Sequence, residues 1–179
     1  MSLHLRPAVA ADIADITDLY GRELREGVAT YELVAPDEAE MARRWQALVS
    51  QGFPYLVAEH AGSFAGYAYA STYRTREGYR WTVEDTVYVL PEFNGRGIGH
   101  ALLARLIAEC EALGFRQMVA VIGDRTNVAS VVLHEHLGFR TVGVFSGLGR
   151  KHGRWLDTVQ MQRALGLGAD GDPDPTGPG

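Results

Sequence analysis

The chain has 179 residues, 46% of them hydrophobic, enough for one folded domain with a sizeable core. Its net charge of −5, with no basic run, denies nucleic acid and membrane surfaces the positive patch they need, so neither is an expected partner. The opening M-S-L-H-L-R-P has no secretory apolar core, and no apolar run reaches the roughly 20 residues of a spanning helix, which makes the cytoplasm the expected location.

In chain order, residues 3–6 are predicted as a strand and residues 12–24 as a helix with Ile13, Ile16, Tyr20 and Leu24 on one face. Asp37 and Glu40, three residues apart after Pro36, form a capping-box start to a second helix that runs through Trp45 and Leu48 and stops at Gly52. The period then drops to two. Residues 55–59 and 64–71 read as strands joined by the turn His60-Ala61-Gly62-Ser63. An arginine-rich polar loop, residues 72–79, precedes a strand over 82–89, a glycine turn and a helix ending at Leu113. Residues 117–122 form a near-continuous apolar strand, as expected of one buried on both faces. A helix over 127–137 and strands near 142–145 and 155–163 complete the series. This order predicts a single α/β domain of the α+β kind, one mixed sheet flanked by helices, over residues 1–165. Residues 166–179 are Gly, Pro and Asp without apolar period and are expected to be a disordered tail.

The densest chemical signal is V-Y-V-L-P-E-F-N-G-R-G-I-G-H, residues 87–100. Gly95, Gly97 and Gly99 remove side chains that would keep an anion from backbone N–H groups, and the helix that follows aims its macrodipole at the same place. Spacing excludes two common phosphate binders. A dinucleotide G-x-G-x-x-G would need glycine at His100 or Leu102, and a P-loop would need Lys and then Ser or Thr after Gly99, where His100 and Ala101 stand. Cys110 lies on the apolar stripe of the following helix with Leu103, Ile107 and Leu113, far from the helix N-terminus a nucleophilic cysteine favours, and reads as packing. The six histidines show no H-E-x-x-H, and with one cysteine there is no C-x-x-C, so no metal site is expected.

The turn x-G-R-G-x-G, with V-Y-V before it and A-L-L after it, resembles the acetyl-CoA pyrophosphate loop of the GNAT N-acetyltransferase superfamily. N-V-A-S-V-V-L-H-E-H-L-G-F, residues 127–139, is similar to that superfamily's second block. Residues 79–89, 114–123 and 153–157 resemble its phosphinothricin and methionine sulfone N-acetyltransferase branch. The resemblance spans about residues 3–163. It implies the GNAT fold, acetyl-CoA as acetyl donor, a small amino-acid-like acceptor with an anionic group, transfer to its α-amine through a tetrahedral intermediate, and a homodimer.

The resemblance also implies roles. Glu84, in W-T-V-E, is the candidate base, acting on the acceptor amine directly or through water; by itself a strand glutamate is equally a surface carboxylate paired with arginine. His134 stands where many superfamily members carry a tyrosine acid and is the second catalytic candidate, as base or thiolate acid, with a packing or capping histidine as the alternative. The backbone N–H of Val89 is implied as oxyanion donor. Val87, Tyr88 and Val89 are implied to contact the pantetheine arm, and Asn94, Gly95, Arg96, Gly97, Ile98, Gly99 and His100 the pyrophosphate. Asn94 departs from the usual Gln or Arg, and Arg96 is either a cofactor contact or a solvated turn residue. Asn127 and Ser130 are either near the cofactor or ordinary helix-cap residues. For the acceptor the branch implies Arg74, Thr75, Arg76 and Arg80, whose guanidinium groups suit carboxylate, phosphinate and sulfonyl oxygens, with Glu84 and with Tyr31 as a pocket wall. Lys151, Arg154 and Trp155 are weaker candidates, for the partner's site in a dimer. Competing readings are an acetyltransferase for another small amine or a protein amine, and a catalytically silent acyl-CoA sensor.

Overall fold

The computed structural model describes residues 2–178. Its elements follow the predicted order: β1 (Leu3–Pro7), α1 (Ile13–Glu26), α2 (Glu38–Ser50), β2 (Tyr55–His60), β3 (Ser63–Thr72), β4 (Thr82–Val89), α3 (Ile98–Ala112), β5 (Gln117–Gly123), α4 (Val128–His136), β6 (Arg140–Lys151) and β7 (Arg154–Ala164). Seven strands form one sheet in the order β1-β2-β3-β4-β5-β7-β6. Every neighbouring pair is antiparallel except β4 with β5, which is parallel.

Strand alternation divides the core into two layers. On one face, Leu56, Ala58, Ala68, Ala70 and Val83 meet the α3 stripe of Leu102, Leu103, Leu106 and Cys110. The strands offer mostly alanine there, so a leucine-rich helix packs close to the sheet. On the other face, Tyr55, Val57 and Tyr67 meet Ile16, Leu19, Tyr20 and Leu24 of α1 and Met41 of α2. Cys110 is fully buried, and burial together with the charges of Glu109, Asp85 and Glu111 pushes its thiol up to about 12, so it is a packing residue.

Local chemistry fixes the element ends. Asp12, itself buried, accepts two 2.7 Å bonds from Arg6 and one of 2.8 Å from the Val9 amide, tying β1 to the start of α1. Asp37 caps α2 by accepting from the Glu40 amide at 2.8 Å, but the Glu40 carboxylate turns to Arg43 and Arg44, so only half of the predicted capping box forms. Ala61 and Gly62 both have positive φ (53° and 82°), the two-residue turn that matches hairpin twist. β6 is much longer than predicted. Its register shifts between Thr141 and Gly143 and between Phe145 and Gly149 break the period-two pattern that sequence reading relies on.

Beyond β7, Leu165 is fully buried and its amide donates to the Arg116 carbonyl at 3.0 Å. The described tail residues form no helix or strand. Arg116 donates to the Gly168 and Asp170 carbonyls at 2.8 Å, and Arg80 to the Pro175 carbonyl at 3.3 Å.

Candidate active site

The parallel ladder of β4 and β5 is short: Thr82, Val83 and Glu84 pair with Gln117, Met118 and Val119. From there β4 stays with β3 as far as Val89, and β5 stays with β7 as far as Gly123, so the sheet opens into a wedge. Leu90 donates its amide to the Ala65 carbonyl on the β3 side at 2.9 Å. Strand alternation therefore turns the amides of Val87 and Val89, beyond the last residues paired with β5, to the opposite edge, into the wedge. A cleft of about 330 Å³ fills it, lined on the β4 side by Glu84, Asp85, Thr86, Val87 and Tyr88 and on the β5 side by Ala120 to Gly123.

At one end of β4 lies the glycine turn. After a short 3₁₀ turn at Pro91–Phe93, Gly95 and Gly97 adopt φ of 74° and 77°, and a Cβ on either would meet open space. Gly97 caps the 15-residue helix α3 with no side-chain acceptor on its first amides. Those donors, exposed and backed by the helix dipole, suit a pyrophosphate. Asn94 and His100 are exposed, Arg96 stacks over Phe93 at 5.5 Å, and Ile98 is buried as the first core residue of α3. Gly99 has a different role: its Cβ position is 3.4 Å from Leu133 and 3.6 Å from Val89, so it lets α3 pass close to α4 and β4.

Glu84 faces the tyrosine layer, opposite Ser71 and in line with Thr86 and Tyr88. Tyr20, Tyr69 and Tyr88 line the same cleft. Burial, reinforced by the charge of Asp85 and opposed by that of Arg74, raises the Glu84 carboxyl to about 7. A carboxylate of that basicity can accept a proton near neutral pH.

His134 reaches the cleft from the other face of the sheet. It is 4% exposed, its Nδ1 lies 2.7 Å from the Ser130 carbonyl and its Nε2 3.0 Å from Asp85 Oδ2. Burial pulls the imidazole's pKa down, but the bond and charge of Asp85 and the Ser130 carbonyl outweigh it and hold the group above its ordinary value. Glu84 and His134 thus share one cleft from opposite faces. Asn127 is the N-cap of α4, accepting from the Ser130 amide at 3.3 Å, and both residues line the cleft.

The arginine loop is set apart. Arg74, Thr75, Arg76 and Arg80 line a neighbouring cavity of about 510 Å³ with Phe53, Phe115 and tail residues Thr176 to Pro178. Arg74 stacks on Tyr73 at 5.1 Å and Arg80 on Trp81 at 4.1 Å. Only Arg74 acts on the cleft directly, through its charge on Glu84. Tyr31 lines the cleft and anchors the α1–α2 loop: its hydroxyl bonds the Asp157 carbonyl and accepts from the Asp124 amide at 3.1 Å. A side chain at Gly149 would collide with the Tyr31 ring, which requires glycine there. Lys151 is 4% exposed and donates to the Thr30 carbonyl at 2.8 Å, holding that loop within the same chain; Arg154 pairs with Asp124 at 2.9 Å, and Trp155 is exposed. Sequence reading missed Asp85. Its signal was a carboxylate on the Val83, Val87 and Val89 face of β4, where apolar residues belong.

The family profile described as "Acetyltransferase (GNAT) family" matches residues 13–139. A phosphinothricin N-acetyltransferase of Alcaligenes faecalis is 48% identical over 157 residues, covering 88% of this chain and 80% of the relative. An L-methionine sulfoximine/L-methionine sulfone acetyltransferase of Salmonella typhimurium is 38% identical, covering 90% and 94%. The crystal structure of a GNAT superfamily phosphinothricin acetyltransferase from Sinorhizobium meliloti in complex with acetyl-CoA superposes with a TM-score of 0.95 at 49% identity, covering 99% of this chain and 96% of that one.

Proposed function

The chain belongs to the acetyltransferase (GNAT) family, and from that premise we propose that it transfers the acetyl group of acetyl-CoA to the α-amine of a small anionic amino acid of the phosphinothricin or methionine sulfone type. The observation that carries this reading is the wedge between β4 and β5, which joins a glycine turn at a helix N-terminus to a carboxyl held near 7. Acetyl-CoA, when bound, supplies an activated acyl group with a thiol leaving group. The amides of Gly97 and the first turn of α3 hold the pyrophosphate, and the inward edge of β4 at Val87 and Val89 aligns the pantetheine arm. The Val89 N–H donates to the acyl oxygen as negative charge grows there. Glu84 takes the proton of the amine, directly or through one water, from the tyrosine-lined face. His134, on the opposite wall, protonates the departing thiolate. Arg74, whose charge reaches Glu84, supplies the positive field for an acceptor's anionic end, and the family resemblance adds Arg76 and Arg80 from the neighbouring cavity.

A homodimer accords with the exposed apolar residues Val142, Val144, Phe145, Leu148 and Trp155 on the edge pair β6 and β7. The cytoplasm remains the expected location; among the described residues no helix is long and apolar enough to cross a membrane. A thiol-release assay with acetyl-CoA across phosphinothricin, methionine sulfone, methionine sulfoximine, unrelated small amines and a lysine peptide tests the reading. The first three should turn over with the highest kcat/KM. Preference for the peptide or another amine would replace the acceptor class, and tight acetyl-CoA binding with no turnover on any amine would leave a sensor.

A further inference from the structure

Asp85 has no part in the mechanism above, yet it is a 7%-exposed carboxylate at the point where β4 leaves β5. Its Oδ2 meets His134, and its Oδ1 is buried without a hydrogen-bond partner. The proton arrangement follows from the partners. A carbonyl oxygen only accepts, so His134 Nδ1 carries a hydrogen toward Ser130. Nε2 then either donates to a carboxylate or accepts from a carboxylic acid, and in both cases the pair holds one shared proton on the cleft wall. Both ring nitrogens are engaged, Nδ1 with the Ser130 carbonyl and Nε2 with Asp85, so a ligand in the cleft reaches a ring proton only by drawing it out of the Nε2–Asp85 bond.

We propose that Asp85 is a positioning residue for the transfer reaction: its bond to Nε2 fixes the ring of His134 on the cleft wall and keeps that nitrogen protonated, so that the proton held between them is the one the departing thiolate takes. The inference rests on the proposed acetyl transfer. The amine nitrogen's electron pair forms the new N–C bond, the C–S pair leaves with sulfur, and the amine's proton goes to Glu84. The thiolate takes the proton held between Nε2 and Asp85, which leaves the ring with its Nδ1 hydrogen and a bare Nε2 facing the carboxylate; that repulsion draws a proton back from solvent, while Glu84 gives its own to solvent. Asp85 also spans the wedge, since α4 follows β5 while Asp85 stands on β4.

The charged groups facing the pair come from three elements. β4 supplies Glu84, whose carboxyl Asp85 helps to raise; α3 supplies Cys110, which stays a neutral thiol; and Glu135 and His136 of α4 are exposed. Removing Asp85's charge in Asp85→Asn should therefore lower both Glu84 and His134. The ascending limb of the kcat profile, set by a deprotonated base, and the descending limb, set by a protonated acid, should move together to lower pH. Above neutrality kcat should fall, with the loss growing as pH rises, because the imidazolium loses the carboxylate that favours its charged form. A loss equal at every pH would mean general disruption and would overturn the proposal.

The wild-type protein provides a test that does not depend on the variant folding. Nitrogen-15 NMR of the His134 ring at pH 7, without donor or acceptor, should show both nitrogens protonated, with titration above the ordinary histidine range. A neutral tautomer, or titration at or below that range, would overturn the proposal while leaving the acetyl-transfer reading intact. A protonated ring in an enzyme that turns over no amine would instead remove the donor role along with that activity.

Discussion

Glu84, the proposed base, would link activity to stability through one buried carboxyl, and Glu84→Gln should separate the two. In the unfolded chain the carboxyl titrates near 4.5, and in the fold near 7. Between those values the native state keeps a proton that the unfolded state releases, so native stability falls as pH rises through this window and the full loss is present above it. At about 1.4 kcal/mol per pH unit the displacement corresponds to roughly 3 kcal/mol, reduced to about 2 by the solvent that still reaches the side chain. Glutamine has no such titration. Relative to wild type, the variant should therefore gain about 2 kcal/mol between pH 5 and pH 8, or about 4–8 °C in melting temperature for a domain of this size. Thermal unfolding of both proteins across that range measures the difference directly, and all other groups cancel to first order. Activity should move the opposite way: kcat/KM falls by about 10²–10⁴-fold at low pH, where the acceptor amine is protonated, and recovers toward wild type near the amine's own pKa. A melting difference that does not change with pH would refute the buried, elevated carboxyl, and a pH-independent kinetic loss would make Glu84 an acceptor-positioning residue.

Other perturbations test the remaining walls of the site. Gly97→Val, at a φ of 77°, should abolish acetyl-CoA binding by calorimetry while the fold persists; binding within a few-fold of wild type would refute the pyrophosphate assignment. Arg76→Ala should raise acceptor KM by roughly 10- to 150-fold, the equivalent of a charge-assisted bond of about 1.5–3 kcal/mol, with donor affinity unchanged. Arg74→Ala should do the same and also move the base limb of the pH profile upward, because Arg74 opposes the rise in Glu84; unaltered acceptor kinetics in both would return this loop to solvent. Ending the chain after Leu165 should leave turnover unchanged, whereas ending it after Arg163 also removes a fully buried leucine and should cost about 2–5 kcal/mol, read as a lower melting temperature.

The elements that sequence revealed best are those in which one periodicity governs one environment. α1 and α3 show a clean apolar stripe because each packs on one sheet face, and β4 is bounded at both ends as predicted because an arginine loop and a glycine turn delimit it. β6 was legible only in part: its bulges and exposed edge position remove both the alternation and the burial that mark a strand. Glu84 and His134 were visible only through the motifs around them. Their convergence depends on a sheet that opens after three paired residues of β4 and β5, and no local pattern encodes where two strands separated by a helix stop pairing.

β4 also explains how a single charge tunes both catalytic candidates at once. Consecutive residues of a strand face opposite sides, so Glu84 lies among tyrosines and Asp85 among the groups of α3 and α4, although one peptide bond links them. Across that bond the Asp85 charge raises both the base and the acid: it is a like charge to Glu84 and an opposite charge to protonated His134. Each effect favours the form that holds a proton. A carboxylate at position 85 therefore displaces both limbs of activity toward higher pH, where more of an acceptor's α-amine, with a pKa of about 8, is already neutral. Moving that charge to the other face of the strand, or losing it, would break this match even with Glu84 and His134 unchanged.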